Sequence, residues 1–136
     1  MKLRISDNKD LPTDQLDSLF KLIGWKPRGK QKWQKALEAS SFVISVWDEK
    51  RIVGLGRILE DGVMCMFYDI GVDPRYQNKG VGKQIMEKLI DKIKDKGYAS
   101  IGLFPWIENK SNIPFYEKHE FVKVTGMELE RFMKRE

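Results

Sequence analysis

The sequence predicts an α+β fold in which helices cover a mixed central β-sheet. Three strand patterns lie between residues 42 and 72, and short polar turns join them into an antiparallel meander. A strongly amphipathic helix pattern starts near residue 80, and a further strand pattern follows it. Strand, helix and strand in this order favour a right-handed crossover with parallel pairing. The sheet is therefore expected to contain both antiparallel and parallel strands.

Length and composition are typical of one soluble globular domain. The chain has 136 residues, of which 41% are hydrophobic and 33% charged, so we expect a single domain over residues 1–136. No apolar run reaches the roughly 20 residues that span a bilayer, and the first six residues lack the apolar segment of a signal peptide. Cys65, the only cysteine, has no partner in the chain. We therefore expect a reducing, cytoplasmic location and no membrane partner.

The formal net charge of +5 leaves two interpretations open. It fits an anionic ligand such as a nucleotide cofactor, and it also fits a solvated, lysine-rich surface. Basic residues are mixed with acids along the chain, without a long basic block or a zinc-finger spacing. A specific nucleic-acid partner is therefore not expected, and one His with one Cys predicts no metal site.

Helices and strands are expected in the order β, α, α, β, β, β, α, β, α, β, β. Their predicted ranges are 2–6, 14–23, 30–39, 42–47, 52–59, 63–72, 80–95, 98–104, 110–119 and a closing strand pair within 121–133. Apolar residues spaced by three and four line one face of the first helix, and Gly24 ends it. Glycine and proline mark residues 24–29 as a loop. In the third strand of the meander, Asp69 and Gly71 are expected on one face and Tyr68, Ile70 and Val72 on the other.

The helix from residue 80 carries the clearest pattern. Its apolar face holds Val81, Ile85, Met86, Leu89, Ile90 and Ile93. Charged residues cover the other face, and Gly97 suits the C′ position after the helix. The next segment, 98–104, has the composition of a buried strand.

An anion-binding loop is expected at residues 72–83, between a strand and this helix. The first N–H groups of a helix lack partners within the helix, and the helix dipole adds partial positive charge there. Gly80 and Gly82 let a phosphate approach the backbone, and Lys79 and Lys83 add charge. The loop lacks the G-x-x-x-x-G-K-[ST] pattern of a P-loop. It also lacks the G-x-G-x-x-G dinucleotide fingerprint, because Ile85 stands where the third glycine belongs.

The residues of this loop resemble a known family. Gln77-Asn78-Lys79-Gly80-Val81-Gly82 is similar to the (Q/R)-x-x-G-x-(G/A) loop of the GCN5-related N-acetyltransferase (GNAT) superfamily, and Val72-Asp73-Pro74 is similar to its approach. The resemblance implies the GNAT fold, with acetyl-CoA as co-substrate. The loop amides would hold the CoA pyrophosphate, and the backbone of the preceding strand would pair with the pantetheine arm.

A second segment strengthens the resemblance. Residues 109–121 are similar to the family's N-x-x-A-x-x-F-Y-x-x-x-G-F segment, with Asn112 in place of the alanine and Glu120 in place of the glycine. The residues implied to bind the cofactor are Ile70, Val72, Gln77, Asn78, Lys79, Gly80, Val81, Gly82, Lys83, Asn109 and Phe115.

Acetyl transfer needs a deprotonated amine, a stabilised carbonyl oxygen and a proton for the leaving thiolate. Tyr116 is the candidate general acid, because the resemblance places it near the CoA sulfur; the alternative is a tyrosine packed on its helix. A backbone N–H within residues 70–72 is the candidate donor to the carbonyl oxygen. Asp69 is the candidate base, and the alternative is an acid that pairs with Arg57 or caps a loop.

Other residues admit a simpler interpretation. His119 is expected on the surface and Cys65 in the core. Trp25, Trp33 and Trp47 would either line an amine pocket or belong to the core.

We therefore predict an N-acetyltransferase that moves an acetyl group from acetyl-CoA to a primary amine by direct attack on the thioester. The loop and Asp69 resemble the branch of small GNAT proteins with arylalkylamine acetyltransferase-like members, which favours a small-molecule acceptor. The alternatives are a protein or peptide amine acceptor, a non-catalytic acyl-CoA-binding module and a basic nucleic-acid-binding domain. A homodimer that pairs the closing strands is also open.

Overall fold

The computed structural model describes residues 2–105 and 111–134. The chain forms two compact units, Met1–Phe104 and Pro105–Glu136, and each is described by itself. The single domain over residues 1–136 stays a prediction.

The described part of the first unit contains five strands, three α-helices and one 3₁₀ turn. They are β1 (Arg4–Ser6), α1 (Thr13–Leu22), α2 (Lys30–Ala39), β2 (Phe42–Asp48), β3 (Arg51–Glu60), β4 (Met64–Val72), a 3₁₀ turn (Pro74–Tyr76), α3 (Val81–Ile93) and β5 (Ser100–Leu103). Every predicted element of this unit is present, and most bounds agree within one or two residues.

The five strands form one sheet in the order β1-β2-β3-β4-β5. Neighbours are antiparallel from β1 to β4, and β4 pairs with β5 in parallel. The turn between β3 and β4 is closed by Asp61, whose carboxylate accepts the N–H groups of Val63 and Met64 at 2.9 and 2.8 Å. This mixed sheet confirms the predicted fold class.

Helices α1 and α2 cover one face of the sheet. Buried residues of both helices, including Leu16, Phe20 and Trp33, form a core cluster with Val43 and Leu55 of the strands. The amphipathic patterns of the two helices therefore predict their buried sides correctly. This face is called the α1–α2 face below.

Helix α3 packs on the opposite face, with Val81, Ile85, Met86, Leu89 and Ile93 buried. The contact is close because β3 has glycine at positions 54 and 56. A Cβ at Gly56 would lie 2.7 Å from Ile85 and 2.9 Å from Leu89. The lack of a Cβ at Gly54 and Gly56 thus allows the N-terminal part of α3 to pack close to the sheet.

Strand β5 differs from the prediction of a buried strand. Ser100 and Ile101 are exposed, and Gly102 and Leu103 are only half-buried. The physical reason is its position, because β5 is the last strand of the sheet in the described part of the chain. An apolar run predicts a strand but cannot show whether another layer covers it.

In the second unit, α4 (Asn112–Lys118) confirms the predicted short helix. The predicted strand pair within 121–133 is wrong, because residues 121–134 contain only a 3₁₀ turn, Glu130–Phe132. Val122, Val124 and Met127 of this segment are exposed. Alternation of apolar and polar residues is a local pattern, whereas a strand also needs a ladder partner. The dimer that was to use these strands therefore loses its basis.

None of the helices in the described residues is both long and apolar enough to span a membrane. The same residues hold no group of three His, Cys, Asp or Glu side chains that could bind a metal ion.

Candidate active site

The predicted anion loop connects β4 to α3. Asn78 and Gly80 both have positive φ, 62° and 81°, and Gly80 is the N-cap residue of α3. The first bond within the helix runs from the Gln84 N–H to the Gly80 carbonyl at 3.0 Å. Residues 77–80 form a hydrogen-bonded turn, and the first N–H groups of α3 have no acceptor within the helix. The loop thus presents helix N–H donors at the positive end of a helix dipole.

These residues fit a diphosphate. A Cβ at Gly80 would meet no atom within 4 Å, so the space beside the backbone is open. Lys79 and Lys83 are exposed, and Lys83 lies 3.8 Å from Glu87 in an exposed pair that stabilises little. Anion sites at helix N-termini have this combination of free N–H groups and flanking cations.

The approach to the loop is rigidly braced. Asp73 is 1% exposed and accepts hydrogen bonds from the backbone N–H and the guanidinium of Arg75. The hydrogen bond from the Arg75 guanidinium holds the pKa of Asp73 below its usual range. Gln77, predicted to bind the cofactor, donates its amide to the Val72 carbonyl at 3.1 Å and so ties the loop back to β4. Tyr76 is buried and its hydroxyl donates to Asp48.

A cavity of about 500 Å³ lies beside this braced segment. Residues of α1, the β2–β3 turn, Asp73 and Arg75 line it. Its charged residues comprise three acids and three bases, so the lining has no net charge. We assign no ligand to it.

Strand β4 continues past the end of its pairing with β5 before it reaches the loop. The two strands pair only from Met64 with Ser100 to Phe67 with Leu103. Residues 68–72 of β4 extend beyond this register and have no β5 partner in the described part of the chain. Ile70 and Val72, which the resemblance implies contact the pantetheine arm, lie on this stretch.

A β-bulge interrupts the same stretch on its other side. Leu55 pairs with Gly71 but Arg57 pairs with Tyr68, so two residues of β4 oppose the single residue Gly56. Asp69 stands in this bulge with φ 54°, a left-handed conformation that is uncommon outside glycine. Bulges release backbone groups from the ladder and are frequent beside active sites.

Because of the bulge, Tyr68 does not lie on the face of β4 that was predicted for it. Tyr68 was expected opposite to Asp69, but the Arg57 guanidinium lies 4.9 Å from its ring, and both Tyr68 and Asp69 contact Arg57. Strict alternation fails because the extra residue shifts the register by one. Gly71 keeps its predicted face, where an added Cβ would meet Phe20 at 2.7 Å.

Asp69 is buried and paired with two arginines. Its side chain is 4% exposed. Arg28 donates to both carboxylate oxygens at 2.7 Å, and Arg57 donates to Oδ2 at 2.7 Å. Burial alone raises the pKa of Asp69, but the hydrogen bonds and charges of Arg28 and Arg57 outweigh it and hold the pKa below its usual value. The alternative of pairing with Arg57 is therefore confirmed, and this geometry argues against a general base.

Sequence reasoning did not anticipate Arg28. Its backbone N–H donates to Asp17 at 2.8 Å, and its guanidinium lies 4.5 Å from the ring centre of Trp33. The segment 26–35 also holds five cations and no acid, an exception to the mixed charge pattern. A run of basic residues that spans the predicted loop and the start of the next predicted helix was the available signal.

The three tryptophans belong largely to the core. Trp33 is fully buried and donates its indole N–H to Asp17 at 2.7 Å, so it lines no pocket. Trp25 and Trp47 are partly buried and pack against the same core cluster. Cys65 is buried as expected, and burial raises the pKa of its thiol to about 11.

In the second unit, Phe115 and Tyr116 lie on α4 with ring centres 5.2 Å apart. Burial raises the pKa of Tyr116 to about 12. His119 is half-buried, with its ring 5.1 Å from that of Phe115. Asn109, which the resemblance implies binds the cofactor, lies outside the described residues.

Comparison with known proteins agrees with this geometry. The family model described as Acetyltransferase (GNAT) family matches residues 9–121. An uncharacterized N-acetyltransferase, ycf52, of Pyropia yezoensis is 30% identical over 124 residues, which cover 88% of this chain and 70% of that protein. GCN5-related N-acetyltransferase 1, chloroplastic, of Arabidopsis thaliana is 37% identical over 97 residues, which cover 69% of this chain and 49% of that protein.

A solved structure shares the fold. A probable acetyltransferase from meticillin-resistant Staphylococcus aureus superposes with a TM-score of 0.83 at 22% identity, over 94% of this chain and 98% of that one. The chain therefore belongs to the GNAT family of acetyl-CoA-dependent acetyltransferases. The relatives differ in length, and the chain spans about half of the Arabidopsis protein.

Proposed function

We propose that this chain transfers an acetyl group from acetyl-CoA to a primary amine of a small molecule by direct attack on the thioester. The observation that carries the proposal is the course of β4. Over residues 68–72 its backbone has no β5 partner in the described part of the chain, and it leads into the N-terminus of α3, whose first N–H groups have no acceptor within the helix. An extended ligand with a diphosphate at one end fits this path.

The proposed roles follow from position along that path. N–H groups of residues 78–83, with Lys79 and Lys83, hold the pyrophosphate. The backbone of Ile70 and Val72 pairs with the pantetheine arm, and acetyl-CoA supplies the activated acyl group. A backbone N–H at the bulge donates to the thioester carbonyl oxygen, where negative charge develops.

The family resemblance gives Tyr116 the role of hydrogen-bond donor to the leaving sulfur. With a pKa of about 12, its phenol keeps its proton throughout the physiological range. The same high pKa makes full proton transfer harder than from an ordinary phenol. Its main contribution is therefore a hydrogen bond that stabilises charge on sulfur.

Deprotonation of the amine does not require Asp69. The carboxylate is held ionised by Arg28 and Arg57 and binds a proton weakly. The neutral amine then attacks, and most of the rate gain comes from holding it beside the thioester.

Relatives differ in the acceptor that their names state. A Glycine max protein, 31% identical over 111 residues, is named a histone acetyltransferase. A protein of Oryza sativa subsp. japonica, 30% identical over 102 residues, is named serotonin N-acetyltransferase 2. A protein or peptide amine thus remains the second candidate acceptor. The cytoplasmic location stays a prediction.

The test is release of free thiol from acetyl-CoA in the presence of an amine panel that includes arylalkylamines, amino sugars, polyamines and peptides. Thiol release that depends on a small amine supports the proposal. Release with peptides alone supports the second candidate. Binding of acetyl-CoA without release above hydrolysis for any amine identifies a non-catalytic acyl-CoA-binding module and overturns the proposal.

A further inference from the structure

We propose that Asp69 is a positioning residue, and that the Arg28–Asp69–Arg57 bridge, called the clamp below, fixes the β4 bulge that presents the backbone N–H to the thioester. The inference rests on the proposed function. It gives Asp69 a positioning role, whereas the sequence analysis names it as the candidate base.

Residue 69 has an unfavourable backbone conformation. Its φ of 54° falls in the left-handed region, in the middle of a nine-residue strand. A non-glycine residue persists there only where its surroundings over-determine it, and such positions cluster at functional sites. Aspartate adopts this region more readily than most residues, which explains why a residue other than glycine can occupy position 69.

The clamp supplies that over-determination. Three charge-assisted hydrogen bonds of 2.7 Å reach the Asp69 carboxylate, and the two arginines come from separate elements. Arg57 belongs to the neighbouring strand β3, and Arg28 lies in the loop between α1 and α2. Bonds from two directions fix the side chain and, through it, the backbone that carries it.

Each arginine is itself held in place. The Arg57 guanidinium donates to the Ser40 hydroxyl at 3.3 Å, and Ser40 is 1% exposed. Asp17 accepts the N–H groups of Arg28 and Gly29 at 2.8 and 3.0 Å, which fixes the loop. The bulge is therefore tied to two helices and a strand on the α1–α2 face.

A positioning role and a base role predict different results for three substitutions. Asp69→Asn keeps an acceptor for the arginines and a residue that tolerates left-handed backbone, but it has no base. Asp69→Gly loses the clamp and adopts positive φ freely. Asp69→Ala loses the clamp and also disfavours positive φ.

We expect kcat to decrease in the order wild type, Asn, Gly, Ala, with Gly above Ala by about tenfold because of the backbone preference. KM for acetyl-CoA should change little, since the pyrophosphate loop is separate, and the pH profile should keep its shape. Equal loss in all three variants, with rates that rise with pH to wild-type values, would identify a base and overturn the proposal.

Glu49 provides the matched control. It also has positive φ, 53°, but lies in the exposed β2–β3 turn. Glu49→Ala and Glu49→Gly should change the unfolding midpoint and leave kcat unaltered. If the Ala variant at position 69 does not fold, Arg28→Met removes only one arm of the clamp and should lower kcat without raising KM for acetyl-CoA.

An acceptor-independent readout separates this inference from the proposed function. In amide NMR spectra, the N–H signals of Ile70 and Gly71 should differ between the acetyl-CoA and CoA complexes in the wild type and in Asp69→Asn, and not in Asp69→Ala. Loss of this difference only in Ala supports the clamp even if no amine is acetylated. An identical response in all proteins contradicts the clamp even if acetyl transfer is established.

Discussion

Carboxylates in this chain are used mainly to fix structure. Asp17, Asp69 and Asp73 each accept at least three hydrogen bonds, and the pKa of each is held below its ordinary value. For Asp17 and Asp69, burial acts in the opposite direction and is outweighed by the donors. A group held in this way binds a proton weakly, so it stabilises the fold at neutral pH better than it serves as a base.

The Asp69 clamp should make stability depend on acid. Its pKa in the folded chain is below the ordinary value of 3.8, so its contribution is present above pH 3.8 and is lost as pH falls through the folded value. At neutral pH, Asp69→Asn should lower the free energy of unfolding by about 3 kcal/mol. Urea unfolding of both proteins between pH 7 and strongly acid pH measures this.

The difference between wild type and Asp69→Asn should shrink as pH falls, because the wild-type carboxylate becomes protonated. Glu38→Gln, a substitution at an exposed position of α2, should show no such trend. A difference that stays constant over the whole range would contradict a contribution from ionised Asp69.

Tyr116 gives a second prediction at the residue scale. Tyr116→Phe should lower kcat by about a hundredfold, the range found for a lost proton or hydrogen-bond donor, with little change in binding of acetyl-CoA. Because the pKa of Tyr116 is about 12, the wild-type rate should not fall near pH 10, where an ordinary tyrosine ionises. A pH profile of kcat tests this, and a decline centred near pH 10 would count against the role.

At the scale of elements, structural features that are set by the sequence of one segment could be predicted. Features that depend on contacts with a distant segment could not. The apolar face of α3 and the loop before it follow from local sequence, and both are present. The bulge at Asp69 depends on the register with β3, and the clamp depends on Arg28, 41 residues away in sequence. Residues 121–133 show the same limit, because their alternation found no ladder partner.

Packing of α3 on β3 supports the anion loop and can be tested separately. Gly56→Ala places a Cβ 2.7 Å from Ile85 and 2.8 Å from Ile70, so we expect destabilisation of about 1–3 kcal/mol and weaker binding of acetyl-CoA. Gly102→Ala in β5 is the control, since its Cβ would meet only Met66 at 3.4 Å. Thermal unfolding and titration of both variants measure the effect, and equal stability of the two would contradict the close contact.

At the scale of the whole molecule, the net charge of +5 favours anionic ligands. Raising ionic strength should therefore weaken binding of acetyl-CoA, because exposed charges are screened beyond about 8–10 Å at physiological salt. Acetylpantetheine, which lacks the phosphates, should bind weakly and with little salt dependence. An identical salt response for the two thioesters would show that the cations do not recognise the phosphates.

We expect the N-terminus of α3 to hold the pyrophosphate of acetyl-CoA. Gly82 lies in the first turn of that helix, where a carboxylate is compatible with the helix dipole, whereas any side chain at Gly80 is strained by its φ of 81°. Gly82→Glu is therefore the test variant, and Gly82→Gln is its neutral control of similar shape.

The most direct measurement is calorimetric titration of acetyl-CoA into the wild type and both variants. We expect micromolar-range binding to the wild type, partial loss with Gln and a further loss of at least about tenfold with Glu, which corresponds to about 1.4 kcal/mol. All three proteins should remain folded. Wild-type affinity that is unchanged in folded Gly82→Glu, or a folded wild type that does not bind acetyl-CoA, would rule out pyrophosphate binding at this helix N-terminus.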